Sequence, residues 1–403
     1  MRYSVSMKKL VLLNLLLVWC FTVTAQIRYL DEVFTQVDST TGIVYGQNMS
    51  WDNQPVALAL DVYRPSGDSL ALRPLMIFVH GGSFIGGVRN DPFMRDLCIS
   101  FAKRGFVTAT VSYRLGIDLS NFTNLNIEFI KATLRSMQDV KAAVRFMRKE
   151  VAQNGNPYGI DTSKILLGGY SAGAISAIHV ALLKDTTLAT QLVRDLIREV
   201  GGLNGNSGNA GYSSASAGLF SLAGAVLDTA LVTLDLVPSL HIHGTADQVV
   251  PYGLGYASNS GFPILEVYGS SLLHARLQHR GAQSELITLA GVGHDIVSNT
   301  QTRNTVKAGL VNFAWRFMAN SLSVADQKLS GYRLYPNPAS ELVYLDGLPE
   351  STLIRIYDMQ GRLKHEAVAH GATSLALTGW PAGMYVLQLQ SGQRVGTERL
   401  LLR

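Results

Sequence analysis

The heptapeptide GGYSAGA, residues 168–174, constrains the fold more than any other stretch of this sequence. It follows the apolar run KILL, so it predicts a sharp turn from a buried strand into a helix, with Ser171 at the apex. Such a turn crowds the backbone, which explains glycines at Gly169 and Gly173, two residues on either side. The turn also exposes the serine hydroxyl to a base, which a serine needs before it can act as a nucleophile.

Short apolar runs alternate with longer amphipathic ones from residue 74 to about residue 318. Strands alternating with helices predict a mostly parallel sheet covered by helices on both faces. Two earlier runs, IRYLDEVFTQV and LALDVYRP, are expected to be antiparallel edge strands. The predicted inner strands are PLMIFVH, FVTATVSYR, KILLGGYS, LVPSLHIHG and SELITLAGVGHD.

Residues 185–217 interrupt this alternation. The amphipathic run QLVRDLIREV is followed by GGLNGNSGNAGYSSASAG, whose small and polar residues suit neither a buried strand nor a stable helix. A long loop in a compact domain is usually functional or disordered, and we expect a lid or a pocket wall here. Its mobility is left open.

The two ends of the chain differ from the middle. The cationic start, the apolar run LVLLNLLLVWCFTV and the small residues before Gln26 predict a cleaved signal peptide at residues 1–25. We expect a catalytic domain at 26–320, a linker at 321–331 and a small all-β sandwich at 332–403, where the helical period gives way to strand-like runs. No later run is long enough to span a membrane.

Loss of the signal peptide changes the charge and the cysteine count. The formal charge falls from +5 to +2, because Arg2, Lys8 and Lys9 are removed. No basic patch remains that would favour nucleic acid. Cys98 is left as the single cysteine, so no intramolecular disulfide is expected.

Two further residues can complete the chemistry of Ser171. Asp247 follows the strand of LVPSLHIHG, and His294 follows the strand of SELITLAGVGHD. The chain order Ser, Asp, His at successive strand ends fits a base, His294, whose tautomer the carboxylate Asp247 fixes. Competing carboxylates are less well placed, because two precede the strand and one adjoins the histidine: Asp228, Asp235 and Asp295.

The segment VHGGSFIGG supplies the expected oxyanion hole. Glycines after the PLMIFV strand let backbone N–H groups turn toward the serine, and we expect the donors to be Gly82, Ser83 and Ala172.

These motifs carry a resemblance over residues 55–318. HGG, VSYRLG, DVKAAVRFMRK, GYSAGA and HGTADQVVPY resemble the α/β-hydrolase superfamily, namely secreted carboxylesterases and lipases. Within it, the chain is similar to esterases that Bacteroidetes secrete, including those acting on acetylated or feruloylated polysaccharides. The resemblance implies Ser171 as nucleophile, Asp247 as acid and His294 as base. Many relatives have a third glycine where this chain has Ser83, so the identity of the upstream donors stays open.

The C-terminal 72 residues carry a second resemblance. YRLYPNPASELVYL, IRIYDMQGR and PAGMYVLQLQSGQRVGTERLLLR resemble the C-terminal sorting domain of the type IX secretion system. This implies the secretion machinery as a partner, an extracellular or cell-surface enzyme, and a tail without a catalytic part. A carbohydrate-binding or spacer module is the alternative.

The expected function is therefore hydrolysis of a carboxylic ester of a small molecule or carbohydrate, with no cofactor and no metal. A serine peptidase of the same superfamily and a hydrolase-like binding protein remain alternatives. We expect the other histidines, His179, His241 and His243, to be packed structural residues. Acyl-chain length, the alcohol part of the substrate and the oligomeric state stay open.

Overall fold

The structure is a computed structural model that describes residues 26–232, 236–259, 261–322, 329, 331–349, 351–359, 362–391 and 394–403. The chain divides into two compact units, a first unit ending at Trp315 and a second unit beginning at Arg316. The predicted signal peptide at residues 1–25 lies outside the described residues. None of the helices in the described residues is long and apolar enough to cross a membrane.

A large mixed sheet forms the centre of the first unit. The sheet has the order β1-β2-β4-β3-β5-β6-β8-β11. Strands β4, β3, β5, β6, β8 and β11 are mutually parallel, and β2 is antiparallel to both of its neighbours, β1 and β4. The α/β fold class expected from the sequence is confirmed. The strands of the first unit are β1 (Val37–Met49), β2 (Pro55–Pro65), β3 (Arg73–Val79), β4 (Val107–Val111), β5 (Ile160–Tyr170), β6 (Gly218–Leu222), β7 (Ala225–Val226), β8 (Ser239–Gly244), β9 (Leu254–Asn259), β10 (Phe262–Gly269) and β11 (Ser284–Leu289).

The central strands are buried along their whole length. Every residue of β3, β4, β6 and β8 is buried. Continuous apolar runs are typical of parallel strands that are covered on both faces, which is why these strands could be recognised in the sequence.

Six α-helices begin in the described part of the first unit, and the last of them extends past Trp315, where this unit ends. The first begins with Pro92 after Asp91, whose carboxylate accepts hydrogen bonds from the N–H groups of Phe93 and Met94. This is a standard N-cap with proline in the first turn. The helices are α1 (Pro92–Lys103), α2 (Leu125–Gln153), α3 (Ala172–Leu182), α4 (Gln191–Glu199), α5 (Ser270–His279) and α6 (Thr300–Leu322).

Two features of the first unit differ from expectation. IRYLDEVFTQV was expected to be a strand, but residues 26–36 form turns and β1 begins at Val37. The ring of Tyr29 packs against Phe106 at 4.9 Å between centroids, and its backbone N–H donates to Arg104. A small sheet of β7, β10 and β9 was not expected at all.

The loop expected to form a lid is fixed to the body of the unit. The guanidinium of Arg145 in α2 donates to the carbonyl oxygens of Asn204 and Gly208 at 3.0 and 2.9 Å. The N–H of Gln47 in β1 donates to the carbonyl of Ser207 at 3.2 Å. Its small residues therefore allow close packing on α2 and β1.

The second unit is antiparallel throughout its described strands. It contains a sheet of order β12-β13-β16 and a sheet of order β15-β14-β17-β18. Along several of these strands buried apolar residues alternate with more exposed ones, and the buried residues form an apolar core. The expected all-β class of this region is confirmed. Its strands are β12 (Arg333–Tyr335), β13 (Leu342–Asp346), β14 (Thr352–Tyr357), β15 (Leu363–Ala369), β16 (Thr373–Ala376), β17 (Gly383–Ser391) and β18 (Arg394–Leu402).

Candidate active site

Ser171 occupies a strained turn between β5 and α3. Its φ of 53° and ψ of −122° are rare for a residue with a side chain, and strain of this kind clusters at functional sites. A Cβ on Gly169 would lie 2.4 Å from the carbonyl oxygen of Val79, and one on Gly173 would lie 2.1 Å from the same oxygen. The glycines are therefore required because the turn packs directly against the end of β3.

A continuous hydrogen-bond chain joins the three residues singled out by their order. The Ser171 Oγ lies 2.9 Å from Nε2 of His294, and Nδ1 of His294 lies 2.7 Å from Oδ2 of Asp247. The residues follow β5, β11 and β8, whose carboxyl ends lie at one edge of the sheet, where open α/β sheets bind ligands.

The carboxylate of Asp247 is held from several sides. Its Oδ1 accepts the N–H groups of Val249 and Val250 at 2.8 and 2.9 Å, and its Oδ2 accepts hydrogen bonds from His243 and His294. Burial raises the pKa of this carboxyl, but the hydrogen bonds from the two histidines outweigh burial and hold the pKa well below its ordinary value. Asp247 is therefore ionised and unable to take the proton of His294.

The competing carboxylates have other partners. Asp228 accepts the N–H of Ala230 at 2.8 Å and caps a short 3-10 helix. Asp295 accepts the N–H groups of Val297 and Ser298 within its own turn. Asp235 lies outside the described residues.

Tyr170 fixes the segment that carries His294. Its hydroxyl donates to the carbonyl oxygen of His294 at 2.9 Å, and its ring stacks on the imidazole with 5.5 Å between centroids. Burial raises the pKa of Tyr170, so the hydroxyl stays protonated and keeps donating.

The loop after β3 turns beside Ser171. A Cβ on Gly81 would lie 3.3 Å from the Cβ of Ser171, and Gly82 has a φ of 123° that favours glycine. No residue in the described part of the chain accepts a hydrogen bond from the N–H of Gly82, Ser83 or Ala172. Ala172 is the first residue of α3, so its N–H has no acceptor within the helix.

His80 supports this loop from below. Its Nδ1 lies 2.7 Å from the carbonyl oxygen of Gly81, and its ring stacks on Tyr113 with 4.5 Å between centroids. The hydroxyl of Tyr113 donates to the carbonyl of His80 at 3.0 Å. Burial lowers the pKa of His80 more than the bond to Gly81 raises it, so a neutral ring holds the loop.

The sequence reasoning missed the contact between His243 and Asp247. His243 is fully buried, and its Nε2 lies 3.1 Å from Oδ2 of Asp247 and 3.0 Å from the carbonyl of Val250. Because both partners are acceptors, Nε2 carries a proton and donates. The signal that could have revealed this contact is the sequence position of His243, which lies near the end of β8 and four residues before Asp247.

The two other histidines have structural contacts. His179 lies in α3 with Nδ1 2.7 Å from the carbonyl of Ile175, and its Nε2 accepts the N–H of Leu227. His241 lies 3.2 Å from the hydroxyl of Ser239. Across the described residues, no group of three or more histidine, cysteine, aspartate or glutamate side chains is arranged to hold a metal ion.

Comparison with known families confirms both resemblances. Residues 60–207 match the BD-FAE family, and residues 333–403 match the secretion system C-terminal sorting domain. The first segment is similar to carboxylesterases. The second implies a secreted or cell-surface protein and the secretion machinery as partner.

Individual relatives match over short stretches. Carboxylesterase 3B of Mus musculus is 32% identical over 29% of this chain and 19% of its own length. Para-nitrobenzyl esterase of Bacillus subtilis is 27% identical over 36% of this chain and 27% of its own. Neuroligin-like protein glit-1 of Caenorhabditis elegans is 29% identical over 30% and 15%. The chain spans less than a third of the length of these relatives, so its own activity must be argued from its site.

Among solved structures, the alignment with a thermophilic esterase of Thermogutta terrifontis covers 73% of this chain and 97% of the esterase chain. The two share 20% sequence identity at a TM-score of 0.49.

Proposed function

We propose that the first unit hydrolyses carboxylic esters through an acyl-enzyme, with Ser171 as nucleophile, His294 as general base and Asp247 as the acid that orients His294. The observation that supports this most is the unbroken hydrogen-bond chain from Ser171 Oγ through both nitrogens of His294 to Asp247. A hydrolase-like binding protein has no need for such a chain.

In the first step Ser171 Oγ attacks the ester carbonyl while its proton passes to Nε2 of His294. The carbonyl oxygen becomes an oxyanion, which the N–H of Ala172 and the N–H of Gly82 or Ser83 stabilise. The positive end of the α3 dipole favours the same negative charge. Asp247 stabilises the imidazolium that forms.

In the second step the proton on His294 passes to the leaving alcohol as the carbon–oxygen bond breaks, which leaves an acyl-serine. Water then attacks this ester, gives its proton to His294, and the acid leaves as the proton returns to Ser171 Oγ. Apart from the ester and the attacking water, each proton donor and acceptor in these steps is a side chain of Ser171 or His294.

The proposed substrate is an acylated carbohydrate or a small ester. We also propose a leader at residues 1–25, a catalytic domain at 26–320, a linker at 321–331 and a tail at 332–403 that directs export through the type IX system. The match of residues 333–403 to a sorting domain supports the last part.

The test is hydrolysis of chromogenic acetate, butyrate and palmitate esters by the full chain and by Ser171→Ala. We expect kcat to fall by roughly three to six orders of magnitude in the variant. The matched control is Ser163→Ala, an exposed serine of the same strand, which should keep full activity. Turnover of peptides but not of esters would instead favour the peptidase alternative, and no turnover of either would favour the binding protein.

A further inference from the structure

A polar cavity of about 440 Å³ lies in the first unit, apart from the hydrogen-bond chain of Ser171. Its walls come from the end of β1, the segment after β4, the first half of α2 and the end of α4. Its lining includes an exposed tryptophan, three cations and two carboxylates: Trp51, Arg114, Lys131, Arg135, Glu128 and Glu199.

Two of the three cations in this cavity have carboxylate partners. Arg114 is buried and its Nε lies 2.9 Å from Asp139. Lys131 lies 2.7 Å from Glu199 and 3.5 Å from Glu128.

Arg135 is different. It is only 8% exposed, and no carboxylate of the described residues lies within 4.0 Å of its guanidinium. The hydrogen bond that it makes runs from Nη2 to the carbonyl oxygen of Gly116 at 3.2 Å. Burial and the charge of Arg114 lower the pKa of Arg135 more than the nearby charges of Glu128, Asp139 and Glu199 raise it. A buried cation that no carboxylate contacts directly is costly, so a ligand that brings a carboxylate into contact with the guanidinium would stabilise the site.

The rest of the lining restricts the ligand. Three carboxylates, Asp118, Glu128 and Glu199, also line the cavity, so a carboxylate, with one negative charge, fits beside Arg135 better than a doubly charged group such as a phosphate monoester. Trp51 is 41% exposed and presents a flat apolar surface with a polar edge. Donors and acceptors stand side by side in the walls, which suits hydroxyl groups because these do both.

The cavity is connected to the loop beside Ser171 through Gly116. Its carbonyl accepts the hydrogen bond from Arg135, and its N–H donates to the carbonyl of Phe84 at 2.8 Å. A ligand held by Arg135 would therefore be connected through Gly116 to Phe84, which directly follows Gly82 and Ser83.

We propose that this cavity binds an acidic sugar, with the carboxylate of a uronic acid paired to Arg135 and the ring against Trp51. The sugar belongs to the saccharide part of the ester, so this assignment rests on the proposed function.

The test measures binding apart from turnover. The full chain carrying Ser171→Ala is titrated calorimetrically with digalacturonate and with galactobiose, which has neutral hydroxymethyl groups in place of the carboxylates. We expect digalacturonate to bind about tenfold to a hundredfold more tightly, as a charge-assisted hydrogen-bond pair would give. Arg135→Gln should remove this preference, and Trp51→Ala should weaken both sugars. Arg95→Gln, an exposed arginine of α1, is the matched control and should change neither.

Several outcomes overturn the proposal. Equal affinity for the two sugars, no binding of either, or an unchanged preference in Arg135→Gln would each show that Arg135 does not select a carboxylate. If acetate alone competes as well as digalacturonate, the cavity is a plain anion site. Should Arg135→Gln fail to fold by circular dichroism, Trp51→Ala decides, because unchanged binding there is incompatible with the proposal. Ester turnover by the wild type is measured separately, so a failure of the proposed function is recognised as such.

Discussion

The two units bury polar groups to different extents. The described residues of the second unit bury one polar side chain, Thr352, whose hydroxyl donates to the carbonyl of Pro349 at 2.8 Å. The first unit buries many, among them His80, Asp139 and His243. Each buried polar group needs partners and stabilises little beyond what it costs. A unit that only has to fold does well with an apolar core, so the polar interior of the first unit indicates chemistry.

Backbone strain is distributed in the same way. In the described second unit, Ser351 is the one residue other than glycine with a positive φ. In the first unit Ser83, Phe84 and Ser171 all have positive φ and lie around the proposed oxyanion hole. Strain persists where the surrounding structure determines it, which again separates a unit built around a site from one built around its core.

After Ser171→Ala, the largest effect is expected from Asp247→Asn. An amide cannot stabilise the imidazolium and favours the wrong tautomer of His294, so kcat should fall by about ten-thousandfold. The measurement is ester hydrolysis, with Asp228→Asn as the matched control because Asp228 caps a short helix elsewhere. A similar loss in both variants would remove the special role of Asp247.

Acid stability should depend on His179, which is fully buried. Burial lowers its pKa to about 4. Between pH 6.5 and about 4, the imidazole of His179 therefore stays neutral in the folded chain but takes up a proton in the unfolded chain. His179 alone should therefore lower the free energy of unfolding by about 3 kcal/mol as the pH falls through this window, in addition to the contribution of His241, whose pKa burial also lowers. Urea unfolding of the full chain at neutral and acidic pH measures this slope, and His179→Gln should flatten it; an unchanged slope contradicts the assignment.

A smaller effect is expected from His243. His243→Leu removes one donor to Asp247, which should raise the pKa of that carboxyl, lower kcat about tenfold and leave KM unchanged. His243→Gln keeps a donor near the position of Nε2 and should restore most of the rate.

His241→Leu is the matched control, because His241 is a buried histidine on the same face of the same strand, and its hydrogen bond goes to Ser239 rather than to Asp247. Equal losses in His243→Leu and His241→Leu would mean that His243 acts through packing alone. The pH profile of kcat/KM then separates the two cases, since only a donor to Asp247 shifts its acid limb.

Much of this could be predicted because it is written in local patterns. Strand β3 and the second half of β5 contain continuous apolar runs, and the glycines around Ser171 mark the turn. The chain order of Ser171, Asp247 and His294 selected three residues that the structure brings into hydrogen-bonding distance. Their catalytic roles remain predictions for the substitutions above.

What escaped prediction depends on contacts between distant segments. Strands β9 and β10 pair with each other and with the two-residue β7, and many of their side chains are exposed, so no apolar run marks them. β1 is also largely exposed and polar, so no apolar run marks it in the sequence either. The sequence does not show that Arg135 lacks a direct ion pair, because this depends on Glu128 of α2 and Glu199 of α4 contacting Lys131 instead.

The smallest effect on turnover is expected from deletion of residues 332–403, which should change kcat/KM less than about twofold. Ser171, Asp247 and His294 all precede Trp315, and the second unit has an apolar core of its own, so no proposed catalytic group depends on it. Export in the native host should be lost. Leu387→Asp, which places a charge in that core, should block export without shortening the chain. Loss of turnover in the purified deletion variant would show that catalysis needs the second unit. Intact turnover with blocked export would assign ester hydrolysis to the first unit and export to the second.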